Sequence, residues 1–188
     1  HDPAFARTCI TMTTSWQGHS SLNQPRIYAS AVTMASGDTF ILGGWYSPVT
    51  SEVLQNGATS WTAGPIPNTP VFGACSLALD STRFVAIGGG LNHEVVTIYN
   101  TVSGTWDNSW PTLTEGRRGH SCVLMLGKII VAGGYSFNTY DYTATTLHID
   151  ATTGSATAGL EMVQARAYFS MQSMVMTGQV LAIGGVIG

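Results

Sequence analysis

Charged side chains are scarce in this 188-residue chain, and their scarcity excludes several classes of function. Asp, Glu, Lys and Arg make up 9% of the sequence and the formal net charge is -3, whereas soluble domains usually contain roughly 25% charged residues. Basic groups are too few to neutralise a phosphate backbone, so we predict no nucleic-acid partner. No apolar run approaches the ~20 residues of a membrane-spanning helix, so we also predict no membrane span.

Cysteine is also sparse, with only Cys9, Cys75 and Cys122 and no CxxC spacing. The odd count argues against a disulfide framework or a zinc site. Because Cys75 and Cys122 fall at matching places in the repeat described below, we predict that they are buried small apolar groups. Their Cα atoms should lie more than about 7 Å apart, which leaves all three cysteines unbridged. We predict no metal and no other cofactor.

The composition favours an extracellular or secreted protein, because Thr, Ser, Gly and Asn are abundant and Lys128 is the single lysine. No Asn-x-Ser/Thr glycosylation sequon is present to support this further. Neither a basic segment nor an apolar segment of leader length follows His1, so we expect any signal peptide to lie outside this sequence.

The sequence does contain an internal repeat with a fixed period. Trp16, Trp61 and Trp106 are spaced 45 residues apart, and a Gly doublet begins 27 residues after each of them, at Gly43, Gly88 and Gly133. A fourth doublet begins at Gly184, and Ala156 lies near the place of a fourth Trp. Self-similarity at a fixed period of this length is typical of an array of one supersecondary unit.

Each unit carries four short strand signals. The first strand precedes an apolar run such as 84–87 or 129–132, and that run ends at the Gly doublet. The runs do not alternate polar with apolar residues, so we expect both faces of the second strand to be covered. A third strand, a tight turn and a fourth strand carrying the Trp follow. No sustained 3.6-residue period is present, so the sequence predicts an all-β fold with almost no helix.

Together these features resemble the kelch repeat, whose pattern combines an Arg, a strand, an apolar run, Gly-Gly and a Trp at a set distance. The Arg segments are read here as 26–28, 118–120 and 166–168, with Val71 in the Arg position of the second unit. The resemblance implies a β-propeller built of four-stranded antiparallel blades, and it covers the chain nearly end to end. Members commonly have six or seven blades.

The units divide residues 1–188 into one region with half blades at both ends. Residues 7–20 supply a third and fourth strand, residues 166–185 a first and second strand, and complete blades span 21–65, 66–110 and 111–160. That is about four blades' worth of sheet, the low end of the range of roughly 4 to 8. Either the two halves meet in one composite blade, or the chain is a sector of a larger propeller, completed by the rest of a longer chain. The missing third strand after Gly184-Gly185 favours the sector.

Candidate binding residues lie in the loops that follow the doublets, because these loops differ while the strands repeat, and loops on a rigid scaffold concentrate binding residues. Exposed aromatic rings give a large contact area at low entropic cost. Arg117, which this alignment leaves outside the repeat, is placed beside this face, where it could grip an acidic peptide or a sugar acid. The predicted ligand-binding residues are Trp45, Tyr46, His93, Glu94, Arg117, Tyr135, Phe137, Tyr140 and Asp141.

Other chemically notable residues are assigned structural roles because they recur with the repeat. Arg26, Arg118 and Arg166 are expected to brace loop carbonyls, and the periodic Trp residues to hold units together. His120 is placed at the repeat position of Tyr28, Gly73 and Tyr168. The five His residues show no metal-ligand spacing, and no G-x-S-x-G elbow supports a catalytic serine. We therefore predict no catalytic residues and no metal site.

Two functions from different classes follow. The first is a non-enzymatic interaction module that presents a loop-built, aromatic-rich face to a protein or glycan partner. The second is part of the propeller domain of a copper radical oxidase, because the stretch from Arg26 to Trp45 looks broadly similar to the one that holds the radical tyrosine in galactose-oxidase-like enzymes. Of the residues such a copper site needs, only Tyr28 is matched.

Overall fold

A computed structural model of the chain describes residues 20–90 and 93–188. The predictions for Trp16, Cys9 and the strands of the 7–20 half blade fall outside these ranges. Within them the chain is all-β, as predicted, and no helix occurs, so none is available to cross a membrane.

In chain order the strands of the described residues are β1 (Ser30–Thr33), β2 (Thr39–Leu42), β3 (Ser51–Leu54), β4 (Thr62–Ala63), β5 (Cys75–Ala78), β6 (Arg83–Ile87), β7 (Val96–Asn100), β8 (Thr105–Asp107), β9 (Arg117–Arg118), β10 (Ser121–Met125), β11 (Lys128–Ala132), β12 (Tyr135–Ser136), β13 (Asp141–Tyr142), β14 (Thr146–Asp150), β15 (Ala156–Ala158), β16 (Arg166–Ala167), β17 (Ser170–Met174), β18 (Gln179–Ile183) and β19 (Val186–Ile187).

The strands form several four-stranded antiparallel sheets in which neighbours along the chain pair with each other. Unit 1 is β1-β2-β3-β4, unit 2 is β5-β6-β7-β8, and unit 3 is β10-β11-β14-β15. Unit 4 is the hairpin β17-β18. Two small sheets, β13-β12-β9 and β16-β19, pair the segment before a first strand with the segment after a doublet. These short strands were not predicted, since two residues carry no periodic signal.

The core lies between the faces of successive units. Phe84 and Ala86 of β6 pack with unit 1, while Val85 and Ile87 of the same strand pack with unit 3. Phe84, Val85 and Ile87 are fully buried. The prediction that both faces of the second strand are covered is therefore confirmed for β6, which explains why its sequence does not alternate.

The Gly doublets join each unit to the next. The amide of the first Gly donates to the residue before the third strand, as Gly43 does to Thr50 at 2.8 Å. The amide of the second donates to the following unit, as Gly44 does to Val71 and Gly89 to Arg117. Both glycines of each doublet have positive φ, a conformation disfavoured for residues with a Cβ. At six of these eight positions a Cβ would also lie less than 3.0 Å from a neighbouring atom.

Among the periodic Trp residues, Trp106 packs against the core cluster between units 1 and 2. Trp106 pairs with Tyr99 across β7 and β8, and its ring contacts those of Phe84 and Tyr99 at centroid distances of 5.6 and 5.0 Å. Ala156 pairs with Ile149 at the equivalent place in unit 3, in agreement with the prediction that it replaces a Trp. These contacts give Trp106 a packing role within unit 2.

Hydrogen bonds between units correct the alignment of the arginines. Gly73 donates to the carbonyl of Tyr28, Gly119 to that of Gly73, and Tyr168 to that of Gly119, so these four residues are equivalent. Two residues earlier in each unit stand Arg26, Val71, Arg117 and Arg166. The repeated arginine of unit 3 is therefore Arg117, and the prediction that Arg118 fills this role is wrong. His120 likewise aligns one position later than predicted, with Phe169.

Arg117 and Arg26 perform the same bracing task in different units. The Nη1 of Arg117 donates to the carbonyls of Gly133 and Thr145, and Nη2 donates to the Thr145 hydroxyl and to Glu115. Arg26 binds the corresponding atoms of Gly43 and Thr50 and pairs with Glu52 at 3.1 Å. Burial alone would raise the pKa of Glu52, but hydrogen bonds from Asn23, Arg26 and Gln24 bring it below its usual value.

Cys75 and Cys122 form a disulfide with a Cα separation of 5.9 Å, so the prediction that they are unbridged is wrong. Cys75 pairs with Ile87, the last residue before its doublet, whereas Cys122 pairs with Val131, one residue deeper. The two positions are therefore not equivalent. Both cysteines share a face with residues of the same core cluster between units 2 and 3, so they point towards each other. Cys122 is buried, as predicted, and Cys75 is half-buried.

His120 occupies an interior slot that Phe169 fills in the next unit. Its side chain lies against Gly88 and Gly134, and among the described residues neither ring nitrogen has a well-oriented hydrogen-bonding partner. Burial, reinforced by the positive charge of Arg117, lowers the pKa of His120 from 6.5 to about 3. The imidazole is therefore neutral in the folded protein at physiological pH.

We expect His120→Phe to protect the protein against mild acid. The imidazole of His120 takes up a proton near pH 6.5 in the unfolded chain, but only near pH 3 in the folded chain. Protonation therefore stabilises the unfolded state, and the free energy of unfolding falls progressively as the pH drops below 6.5. Between pH 7 and 4.5 the wild-type chain should lose about 2 to 3 kcal/mol more stability than the variant. Urea unfolding of both proteins at the two pH values measures this, and equal losses would contradict it.

Candidate functional site

The inter-unit hydrogen bonds surround a cavity at the start of the first strands. Its volume is about 260 Å³. The segments before the first strands and the loop after the first doublet supply its walls, which are Ile27, Tyr28, Trp45, Tyr46, Phe72, Gly73, Arg118 and Tyr168. Aromatic rings dominate this lining. Among the described residues that form it, Arg118 is the one that carries a charge. We refer to it as the aromatic cavity.

The rings of the aromatic cavity are held in place and partly open to solvent. Tyr28 and Tyr168 contact each other with centroids 5.3 Å apart, and Trp45 meets Phe72 edge-to-face at 5.1 Å. Trp45 is 53% exposed and Tyr46 is 68% exposed. Rings that pack on one side and face solvent on the other offer a preformed surface to a ligand.

Tyr28 and Tyr168 adopt a backbone conformation that favours glycine. Their φ angles are 58° and 56°, at a repeat position where units 2 and 3 carry Gly73 and Gly119. A bulky residue with positive φ is uncommon and strained, and such strain clusters at ligand sites. Units 1 and 4 therefore place large rings in the cavity at positions where the fold alone would favour glycine.

Arg118 connects the aromatic cavity to a second group of rings. Its guanidinium carbon lies 5.4 Å from the ring centroid of Tyr135 and 5.3 Å from that of Phe137. The ring of Phe137 stacks in parallel on His93 and meets Tyr135 edge-to-face at 5.4 Å. The pairing of β9 with β12 positions these groups, since Arg118 lies directly opposite Tyr135.

His93 is neutral in this setting. Burial, followed by the charge of Arg118, lowers the pKa of its imidazole below 6.5, and Glu94 opposes this only in part. The side chain of Glu94 is exposed. Arg118 is therefore the group that carries positive charge at the junction of the two ring groups.

The structure brings together only some of the predicted ligand-binding residues. Trp45 and Tyr46 line the aromatic cavity, and Tyr135, Phe137 and His93 adjoin it through Arg118. Tyr140 and Asp141 are exposed but lie outside the cavity lining. Arg117 has no exposed surface and all of its donors are directed at the protein, so the prediction that it faces a ligand is wrong.

Sequence reasoning missed six lining residues: Ile27, Tyr28, Phe72, Gly73, Arg118 and Tyr168. Tyr28 and Tyr168 were read as repeat residues and Arg118 as the bracing arginine. The alternation of Tyr and Gly at one repeat position was the available signal, because a purely structural position that needs positive φ would keep glycine throughout.

A larger cavity of about 410 Å³ lies elsewhere, between unit 3 and the hairpin of unit 4. Its walls are the facing sides of two sheets, with mostly apolar side chains such as Ile130, Met171 and Val180. This lining is that of an inter-sheet interior, so we do not assign a ligand to it. Among the described residues no group of three His, Cys, Asp or Glu side chains could hold a metal ion.

Comparison with known proteins gives a likeness of fold. No protein-family model matches the chain, and no curated protein matches it. A solved structure titled "Structure of YjhT" superposes with a TM-score of 0.72 at 18% sequence identity. The match covers 81% of this chain and 56% of that structure, so the chain spans little more than half its length. At this identity the likeness concerns the fold alone.

Proposed function

We propose that the chain is a non-enzymatic binding module of the kelch β-propeller type, which holds a glycan in the aromatic cavity. The observation that carries the proposal is the cavity itself, in which several aromatic rings and one arginine converge on a space of about 260 Å³. Concave sites with apolar walls and few polar groups are the usual form of ligand sites in proteins.

The propeller arrangement is supported by the way the units follow one another. Units 1, 2 and 3 are four-stranded antiparallel sheets whose first strands lie side by side and whose faces bury a shared core. The same inter-unit hydrogen bonds recur from Tyr28 to Tyr168. In such an array the first strands surround an axis, and the aromatic cavity lies at one end of it.

A glycan fits the cavity better than a protein partner does. The faces of a sugar ring present C–H groups that pack against the electron-rich faces of aromatic rings. A protein partner of standard size would cover ~800 Å² on each side, whereas the rings here converge on one small space. Folding restrains these rings before a ligand arrives, which lowers the entropy lost on binding.

An extracellular location is part of this proposal. Disulfides form and persist in oxidising compartments and are rare in the cytosol. The bond between Cys75 and Cys122 therefore supports secretion or surface exposure.

We expect Trp45→Ala to weaken glycan binding at least about tenfold, because truncation of an exposed aromatic anchor removes a main contact. Binding of the purified chain to an array of neutral and acidic oligosaccharides measures this. Tyr140→Ala is the matched control, since Tyr140 is 74% exposed but lies outside the cavity lining. An array on which no sugar binds, or on which Tyr140→Ala and Trp45→Ala have equal effects, would contradict the proposal.

A further inference from the structure

We propose that the glycan recognised by the aromatic cavity is a sugar acid whose carboxylate pairs with Arg118. This inference rests on the proposed function and adds the chemical class of the ligand. It depends on two features of Arg118, its fixed position and its lack of a carboxylate partner, and on the size and lining of the aromatic cavity.

The surrounding rings fix the position of Arg118. Its guanidinium lies over Tyr135 and Phe137, at 5.4 and 5.3 Å from their centroids. A guanidinium held against aromatic rings by cation–π contacts can still donate its N–H groups to a carboxylate. The side chain is therefore held ready for a planar, bidentate partner.

Arg118 has no carboxylate to pair with in the described part of the chain. Two arginines with buried side chains are neutralised there, Arg26 by Glu52 and Arg117 by Glu115. Arg166 also lacks a carboxylate partner among the described residues, but it lies outside the lining of the aromatic cavity. The Nε of Arg118 is buried without an acceptor, and no Asp or Glu lines the cavity. A carboxylate entering the cavity would supply the missing negative charge to the guanidinium.

The neighbouring imidazole of His93 adds no second positive charge to that of Arg118. His93 stacks on Phe137 within the same cluster, and burial together with Arg118 keeps its pKa low. A single cation at the edge of an aromatic cavity suits a ligand with one carboxylate and an apolar face.

A sugar acid suits the space better than an acidic peptide. An extended peptide is usually held by main-chain hydrogen bonds along a sheet edge or by a long groove. The lining of this cavity is instead a compact set of rings around about 260 Å³. A monosaccharide unit can place one face on Trp45 or Tyr28 while its carboxylate reaches Arg118.

Calorimetric titration of the whole chain with galacturonic and glucuronic acid, their methyl esters, and galactose and glucose tests the inference. The esters keep the shape of the acids and remove the charge. We expect the free acids to bind at least about tenfold more tightly than the esters, and added salt to weaken the acids alone.

Substitutions test whether the preference for free acids over esters depends on Arg118. Arg118→Met should remove the preference for acids, Arg118→Lys should retain part of it, and Arg83→Met should leave it intact. Arg83 is the matched control, because it is partly exposed and pairs with Asp80 away from the cavity. Thermal unfolding of each variant identifies any loss of fold.

Each outcome decides between the claims. Esters and neutral sugars that bind as tightly as the acids, in a Trp45-dependent manner, would overturn the carboxylate inference and leave the proposed function intact. An acid preference that survives Arg118→Met would overturn the role of Arg118. An array of acidic peptides bound through Arg118, with no heat from any sugar, would overturn the sugar class and the glycan proposal together.

Discussion

Replacing Arg117 with Met should lower the free energy of unfolding by about 3 to 5 kcal/mol, because the change removes one partner of a buried ion pair. The guanidinium is fully buried and binds the carbonyls of Gly133 and Thr145, the Thr145 hydroxyl and the carboxylate of Glu115. All four acceptors would lose this donor, and a methionine side chain cannot replace it. These contacts hold the doublet of unit 3 to the start of β14, so the loss should affect the whole unit.

Chemical denaturation of Arg117→Met beside Arg118→Met measures the effect. The adjacent arginine carries the same charge but has no ion-pair partner in the described part of the chain, and its replacement should change stability by less than about 1 kcal/mol. If Arg117→Met proves too unstable to purify, Glu115→Gln provides a milder version, with an expected loss of about 1 to 3 kcal/mol. Equal stability of the two Met variants would show that the inter-unit alignment of the arginines is wrong.

Removing the disulfide with Cys75→Ser and Cys122→Ser together should lower stability by about 4 kcal/mol. The bond joins residues 47 apart in sequence, and closing a loop of that length in the unfolded chain accounts for roughly this amount. The link also joins β5 to β10, the first strands of two successive units, so its loss should loosen the contact between units 2 and 3.

Thermal unfolding with and without dithiothreitol tests this directly. Reductant should destabilise the wild-type chain and leave the double-serine variant unchanged, and thiol titration of the unfolded chain without reductant should find one free thiol of the three cysteines. Three free thiols, or a reductant effect that persists in the variant, would contradict the bridge.

The repeat made the strands predictable. The apolar run before each Gly doublet located the second strands of units 2 and 3, predicted at 84–87 and 129–132, within one residue of β6 and β11, since each unit must bury the same faces. The paired segments β9-β12 and β16-β19 lie outside this rule. They are two residues long and are held by hydrogen bonds between segments distant in sequence.

The position of the bracing arginine in each unit could not be predicted from the Gly doublets, because the number of residues between this arginine and its doublet differs from unit to unit. The bracing arginine lies 17 residues before its glycine in unit 1, 16 in unit 3 and 18 in unit 4. With Arg117 and Arg118 adjacent, a difference of one residue exchanges the structural arginine for the one that lines the cavity. The same slip made Cys75 and Cys122 look equivalent, although one residue along a strand reverses the face of a side chain.

The site was predicted in part for the same reason. Trp45 and Tyr46 were found because the loops after the doublets vary, and loop variation is visible in sequence. Tyr28 and Tyr168 belong to the repeat itself, and their exposure follows from a positive φ that only the backbone geometry reveals. A ligand site made from repeat positions is therefore hidden by the regularity that identifies the fold.

A crystal structure of the chain with galacturonic acid tests the central claim most directly. We expect the sugar ring in the aromatic cavity against Trp45 or Tyr28, with its carboxylate within hydrogen-bonding distance of the Arg118 guanidinium and with Arg117 still bound to Gly133 and Thr145. A sugar bound between units 3 and 4, or a carboxylate that contacts groups other than Arg118, would contradict the account.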